Sequence, residues 1–204
     1  CKAVADRKES AEYLKRIEGV VSGFLDGDIP PLVEAMARHQ QVADQIIERC
    51  KHLPIKRIRE LVHALASELR VTLPLGRVIV NWDEVREMSQ GGVSFGSHSC
   101  THRIMTTITS DEVSEELTRS RQILADQCVN FVPVYCYPNG NSDAHIQDQV
   151  KASGYEAAVS VRMGVEGGSP ENRYAIRRVG IHNDITYTIP LFSFRLFGPL
   201  SSSA

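Results

Sequence analysis

The sequence has no excess of charge of either sign and no apolar run long enough to span a membrane. Its 204 residues include 23 Lys and Arg against 25 Asp and Glu, which gives a net charge of −2. A chain this close to neutral has no bulk electrostatic attraction to nucleic acid or to an anionic membrane surface. A membrane-spanning helix needs about 20 consecutive apolar residues, and no such run is found. We therefore expect neither a nucleic-acid partner nor a membrane span.

Cysteine usage excludes two further designs. The five cysteines are odd in number, and no two of them have the Cys-x-x-Cys spacing. This argues against a disulfide framework and against a zinc knuckle. The chain begins at Cys1 without a visible secretion signal, so the sequence leaves localisation open, and it leaves the oligomeric state open as well.

The first third of the chain has the apolar periodicity of helices. Residues recur at helical spacing over Ser10 to Val21, Leu32 to Cys50 and Ile55 to Leu69. Turn-forming residues separate the first two of these segments, and Pro54 separates the second from the third. The sequence therefore predicts three amphipathic helices and no strand before Arg77.

From Arg77 onward short apolar runs alternate with helical patterns. We expect strands at Phe131–Cys136, Tyr155–Val161 and Tyr174–Ile181, and a short strand or extended lead-in at Val78–Val80. Helices are expected at Asp83–Gln90, about Ser110–Gln127 and from Ser142 or Asp143 to Gly154. Strands separated by helices predict parallel βαβ units, whose functional residues gather at the carboxyl ends of the strands.

Two histidines follow a turn and a short strand in the stretch Gly91 to His102. His98 and His102 lie four residues apart. In one helical turn this spacing brings both imidazoles to the same side, where two neutral nitrogens can bind one divalent cation. Two ligands do not complete a tetrahedral site, so the pair alone does not establish a metal centre.

The histidine stretch and the Tyr137-Pro138-Asn139-Gly140 segment together resemble motifs of the polysaccharide deacetylases, carbohydrate esterase family 4. Members carry a His-Ser/Thr-x-x-His metal motif after a strand and a proline-containing aromatic motif one βα unit later. The resemblance covers about Val78 to Ile181. It implies an α/β fold, here an incomplete distorted (β/α)7-type barrel. The expected domains are a helical segment at residues 1–75, as an insertion or appendage, and deacetylase-like βα units at residues 76–204.

The resemblance also implies roles for individual residues. His98 and His102 would bind a divalent metal, zinc by preference, and the Tyr137 region would stabilise the oxyanion through a backbone N–H. His182 would protonate the leaving amine, while Pro138 and Asn139 would contact the substrate. The implied reaction is removal of N-acetyl groups from an amino-sugar polysaccharide or oligosaccharide.

The family's first motif, Thr-Phe-Asp-Asp, has no match in its expected setting. The nearest segment is Phe24-Leu25-Asp26-Gly27, which is typical of a turn between helices. We therefore expect the opening strands of the barrel to be cut away, unresolved or lost in evolution. This chain by itself is expected to be a very poor deacetylase, although we expect the intact protein to be one. A non-catalytic carbohydrate-binding or interaction domain derived from such an enzyme is the alternative. If the chain is active, Asp26 or Asp83 is expected to replace the missing carboxylate.

Overall fold

The structure is a computed structural model that describes residues 2–25, 27, 39–73, 76–77, 79–183 and 185–198. The chain divides into two compact units, Cys1–Val78 and Ile79–Ala204. Each unit has a hydrophobic core of its own. Whether the helical unit is an insertion or an appendage of a barrel stays a prediction.

The first unit is helical in its described parts, as the sequence predicts. It contains α1 (Lys2–Ser22), α2 (His39–Cys50) and α3 (Ile55–Glu68). Val21, Leu25 and Leu61 form its buried core, and an Arg16–Glu68 ion pair links α1 to α3. Helix α1 starts eight residues before its predicted start at Ser10, whereas residues 32–38 of the second predicted helix lie outside the described residues.

The second unit alternates helices and strands. Its elements in chain order are α4 (Trp82–Gln90), β1 (Phe95–Ser97), α5 (Ser110–Asp126), β2 (Phe131–Cys136), α6 (Ala144–Ala152), β3 (Ala157–Met163), β4 (Ile176–Arg178) and α7 (Ile189–Phe197). Local sequence signals set several of these bounds. Asn81 and Thr109 each form a capping box with a glutamate three residues later, and α4 and α5 begin within one residue of their predicted starts.

The four strands form one parallel sheet in the order β1-β2-β3-β4. Successive strands are therefore direct neighbours, as in a barrel wound from βα units rather than in a doubly wound sheet. The α/β fold class and the incomplete (β/α) barrel with a helical N-terminal segment are confirmed. Because all strands run the same way, the residues that follow β1, β2 and β4 emerge at one edge of the sheet.

Packing between the first two strands depends on a glycine. A Cβ atom placed on Gly96 would lie 2.8 Å from the carbonyl oxygen of Val134, which is closer than real contacts allow. Only glycine permits β1 to approach β2 this closely. Beside this contact lies the main core of the unit, which includes the fully buried side chains of Leu117, Tyr135 and Val150.

Two expectations about the second unit are narrowed by the structure, and one helix was not expected. Ile79 and Val80 are exposed and belong to none of the four strands of the described sheet, which leaves the extended lead-in, while residue 78 lies outside the described residues. The strand predicted from Tyr174 to Ile181 is limited to Ile176–Arg178. Helix α7 was not predicted, although Thr188 caps its N-terminus and Pro190 lies in its first turn, which are local signals of a helix start.

No helix within the described parts of the chain combines the length and the apolar character that crossing a membrane requires.

Replacing Leu117 tests the core of the second unit. Leu117→Ala should lower the free energy of unfolding by about 2–5 kcal/mol, because it leaves a cavity beside Tyr135 and Val150. The matched control is Leu191→Ala on α7, where the leucine is 40% exposed and the loss should be about 1 kcal/mol or less. Urea unfolding followed by fluorescence of Trp82, the sole tryptophan, reports on this unit. Equal losses for the two variants would contradict the assigned core.

Candidate metal-binding and catalytic site

The two histidines lie on a loop at the carboxyl end of β1, and not on a helical turn as their spacing had suggested. Their imidazole ring centroids are 4.6 Å apart, with the ring planes inclined at 82°. The backbone reaches this arrangement through two residues in the left-handed region, Ser99 (φ 66°) and His102 (φ 58°). The pair is therefore brought together by irregular backbone, which costs free energy unless other groups hold it.

The ring of His98 is oriented by the end of β2. Its Nδ1–H donates a hydrogen bond of 2.8 Å to the carbonyl oxygen of Cys136. With the proton fixed on Nδ1, the Nε2 lone pair is the one that can bind a cation, an arrangement common to metal-binding histidines.

The side chain of Cys136 also interacts with His98. A hydrogen bond between the thiol and the imidazole raises the pKa of His98 and lowers the pKa of Cys136, and Arg178 lowers the thiol pKa further. His98, Cys136 and Arg178 are thus electrostatically coupled where β1, β2 and β4 end.

The loop between the two histidines is held by one carboxylate. Glu116 accepts hydrogen bonds from the backbone N–H groups of Cys100 (2.7 Å) and Thr101 (3.0 Å), and from the Thr101 hydroxyl (2.5 Å). The Ser99 hydroxyl in turn accepts a 2.8 Å bond from the N–H of His102. Every residue of the loop therefore takes part in a hydrogen bond that fixes its shape.

Glu116 is 9% exposed, and burial by itself would raise the pKa of its carboxyl group. The hydrogen bonds from Thr101, Cys100 and Ser99 outweigh burial, and the pKa lies below its ordinary value. The carboxylate is therefore ionised at neutral pH and accepts charge-assisted hydrogen bonds, which are stronger than neutral ones.

Helix α5 also fixes the strand that carries the loop. One turn after Glu116, the Ser120 hydroxyl lies 2.7 Å from the hydroxyl of Ser97 in β1 and 3.2 Å from the phenol of Tyr155. Positions four residues apart share a helix face, so a single face of α5 holds both β1 and the histidine loop.

The two imidazoles fit part of a metal site. Their proximity and the oriented Nε2 of His98 suit two positions of a tetrahedral zinc centre. Over the residues that the structure describes, no third His, Cys, Asp or Glu joins them in a group able to hold a metal ion. The described donor set is thus two ligands, one fewer than the three protein ligands typical of catalytic zinc.

The proline-containing motif follows β2 directly. The Tyr137 side chain is buried, its phenol donates to the carbonyl oxygen of Tyr174 at 2.9 Å, and its backbone N–H donates to that of Val159 at 3.3 Å. Pro138 is buried, whereas Asn139 is exposed with φ 58°. The structure thus presents Asn139 at the surface and places Tyr137 in the core, while their predicted catalytic and substrate-binding roles stay predictions.

His182 lies after β4 and lines a cavity different from the one beside His98. Its cavity includes Arg178 and Arg195, and its backbone N–H donates to the Thr186 hydroxyl at 3.1 Å. Arg178 connects the two places, because it also acts electrostatically on His98. The role of His182 as a proton donor stays a prediction.

Asp26 and Asp83 are the two candidates to replace the missing carboxylate. Asp26 lies outside the described residues. Asp83 is in the first turn of α4 and forms a 2.8 Å ion pair with Arg86 on the exposed surface.

Sequence reasoning missed two residues of the site. Glu116 occupies a buried position of α5, in line with Val113, Leu117 and Ser120, so an acidic residue within an apolar stripe was the available signal. No comparable signal marks Arg178, because it meets Cys136 and His98 only through the pairing of the sheet.

Glu116→Gln should destabilise the second unit at neutral pH by about 1–3 kcal/mol, because the charged acceptor of the loop is lost. Since the folded-state pKa is depressed, the carboxylate's contribution is present above its ordinary pKa and is lost as the pH falls through the folded-state pKa. The difference in unfolding free energy between wild type and variant, followed by Trp82 fluorescence, should therefore be smaller at about pH 3 than at about pH 7.

Glu115→Gln is the matched control, since Glu115 is the exposed neighbour on the same helix. It should leave stability nearly unchanged at both pH values. A difference for Glu116→Gln that does not depend on pH would show that its ionised carboxylate is not what holds the loop.

Comparison with known proteins supports the resemblance seen in the motifs. The polysaccharide deacetylase family model matches residues 59–158. YxkH from Bacillus subtilis (strain 168), provisionally named a polysaccharide deacetylase, is 22% identical over 99 residues, which are 48% of this chain and 35% of that protein. The chain thus spans about a third of the length of this curated relative.

Two solved structures are similar to the chain. The crystal structure of BC0361, a polysaccharide deacetylase from Bacillus cereus, is 26% identical with a TM-score of 0.50, over 57% of this chain and 36% of that chain. The Streptococcus pyogenes deacetylase PplD, in complex with acetate, is 20% identical with a TM-score of 0.48, over 52% of this chain and 46% of that one. The family match over residues 59–158, the two motifs and the parallel βα fold together support assignment of this part of the chain to the polysaccharide deacetylase family.

Proposed function

We propose that the protein is a metal-dependent hydrolase that removes N-acetyl groups from an amino-sugar polysaccharide or oligosaccharide. The observation that carries this proposal is the pair of imidazoles 4.6 Å apart at the end of β1, on a loop that Glu116 holds. The family match over residues 59–158 supports hydrolysis of a carbohydrate substrate. The bound metal and the N-acetylated substrate are the parts of this proposal that go beyond the family match.

His98 and His102 are the residues that would hold the metal, and zinc suits two imidazole ligands. When bound, a divalent metal supplies Lewis-acid polarisation of a carbonyl group and a more acidic water. The hydrogen bond to the Cys136 carbonyl keeps His98 in the tautomer that binds a cation. The remaining protein ligand is not among the described residues that surround the pair.

The proposed reaction breaks the amide C–N bond of an N-acetyl group. Water supplies the oxygen that bonds to the acetyl carbon, acetate leaves, and the sugar nitrogen takes a proton to become an amine. We assign that proton transfer to His182, which is exposed at the edge of the sheet where the strands end. Asn139, exposed at the same edge after β2, would contact the sugar.

Tyr137 and Pro138 support this edge from the core. The phenol of Tyr137 bonds to the carbonyl oxygen of Tyr174, which ties the end of β2 to the segment before β4. Pro138 is buried next to it and starts the turn that presents Asn139. The oxyanion role expected for the Tyr137 backbone N–H requires the 3.3 Å bond to Val159 to open.

A carbohydrate-binding domain without catalytic activity is the second candidate. It is favoured because, among the residues that the structure describes, no third His, Cys, Asp or Glu joins the histidine pair in a group that could hold a metal ion. Such a domain would bind the sugar at the same edge but would not hydrolyse it.

Turnover of an N-acetylated chitooligosaccharide with added zinc or cobalt distinguishes the two candidates. We expect slow deacetylation, reduced by about 10²–10⁴ because the carboxylate of Glu116, which lies at this loop, is engaged by hydrogen bonds from Cys100 and Thr101 and is not free to act as the base. His98→Ala should abolish the remaining activity. His52→Ala is the control, since His52 is exposed in the helical unit.

Three results would change the proposal. Equal turnover by wild type and His98→Ala would contradict it. Sugar binding without any turnover would favour the non-catalytic domain. Fast turnover that depends on His98 would show that a carboxylate of this chain completes the site, and Asp26→Asn and Asp83→Asn would then identify it.

A further inference from the structure

Helix α7 consists mostly of apolar residues, yet none of its residues is buried. Seven of its nine residues are apolar, and Ser193 and Arg195 are the exceptions. Ile189 is 82% exposed, Phe194 is 66% exposed and Phe197 is 84% exposed. A helix with so few polar residues is normally buried, and an exposed apolar surface of this kind marks an interaction site.

Four exposed residues of α7 form one apolar surface, which we call the α7 stripe: Ile189, Pro190, Phe194 and Phe197. The last three follow one another at intervals of four and three residues, which places them on one face of the helix. On the other side, Arg195 is partly buried and donates from Nε to the carbonyl oxygen of Gly180 at 3.1 Å. The helix is therefore attached to its own unit by one side and presents the α7 stripe on the other.

Helix α7 needs more packing than these contacts provide. Helices shorter than about 12–15 residues are marginal in water by themselves, and α7 has nine. The Thr188 cap and the Arg195 hydrogen bond contribute only about 1 kcal/mol each. Most of the stability of a protein helix comes from burial of its apolar face, and covering the α7 stripe would supply that burial.

The area of the α7 stripe suits contact with an equal surface. An aromatic side chain covers about 150–250 Å², so at the exposures of its residues the stripe offers on the order of 500 Å². Two such stripes facing each other would bury about 1,000 Å² in total, which is the lower limit for a specific protein–protein interface.

We propose that the α7 stripe binds the α7 stripe of a second copy of this chain, with the two helices antiparallel about a two-fold axis. A two-fold contact pairs a surface with itself. Phe194 lies at the centre of the stripe, between the small Pro190 on one side and the large Phe197 on the other. Antiparallel packing therefore brings the two Phe194 rings together at the axis and sets each Pro190 opposite Phe197 of the partner subunit.

Charge also favours a second copy over a lipid surface. The α7 stripe contains no charged residue, so pairing it with itself brings no like charges together, and antiparallel helix dipoles attract. A helix that lies on a membrane surface usually carries several Lys or Arg residues on its polar face. Arg195 is the sole cation of α7, and it is bonded to the Gly180 carbonyl group.

Sedimentation velocity of the full chain, from about 1 μM to about 200 μM, tests the proposal, since an interface of this size dissociates in the micromolar range or above. We expect a concentration-dependent shift from monomer to dimer and no larger species. Phe194→Asp should raise the dissociation constant at least about tenfold, because it places two carboxylates together at the axis. Ile47→Asp is the matched control, since Ile47 is a 54% exposed apolar residue on α2, and it should dimerise like the wild type.

A charge exchange tests whether residue 194 meets its own copy. Phe194→Arg alone should be monomeric like Phe194→Asp, because like charges again meet at the axis. An equimolar mixture of the two variants should recover the dimer, since opposite charges then face each other. Urea unfolding at low concentration, followed by Trp82 fluorescence, should show that both variants are folded.

The proposal is overturned if the wild type stays monomeric over the whole range, or if Phe194→Asp dimerises as well as Ile47→Asp. It is also overturned if the mixture of Phe194→Asp and Phe194→Arg stays monomeric, because the stripe would then contact some other surface. A monomeric chain that sediments with phosphatidylcholine vesicles would assign the stripe to lipid instead. None of these residues belongs to the candidate site, so the outcome does not depend on deacetylase activity.

Discussion

The hydrogen bonds that Glu116 accepts from the histidine loop are the interaction on which the candidate site depends. Ser99 and His102 have left-handed backbone conformations, which are unfavourable for residues other than glycine. The carboxylate of Glu116 compensates by accepting from the two N–H groups between them. Without this acceptor, the loop would lose the contacts that tie it to α5, and the bond from the His102 N–H to the Ser99 hydroxyl would have to hold the two histidines together.

The same helix connects the site to the core. Glu116 and Ser120 lie on the face of α5 that also contributes Val113 and Leu117 to the main core. Apolar packing of α5 therefore determines where the Glu116 carboxylate and the Ser120 hydroxyl lie. These two groups in turn position β1 and its loop. At the opposite side of the pair, the carbonyl group that ends β2 orients His98. The parallel sheet is thus what brings helix, loop and strand end to one place.

Much of this arrangement was predictable because its causes are local. The capping boxes of α4 and α5 and the apolar run of β2 are coded within a few residues, and each element begins within one residue of its expected start. The shape of the histidine loop was not predictable in this way, since it depends on a carboxylate 15 and 16 residues further along the chain. Helix α7 was missed although the Thr188 cap and a proline in its first turn mark its start, whereas the effect of Arg178 on Cys136 depends on the pairing of the sheet and has no local signal.

The central claim is that His98 and His102 bind one metal ion together. Anomalous diffraction from crystals of the protein grown with zinc tests it most directly. The account predicts a single zinc peak bonded to an imidazole nitrogen of each histidine, at roughly 2.0–2.1 Å. A zinc ion bound to only one of the two rings, or no zinc at this loop while the ion is found elsewhere in the crystal, would contradict it.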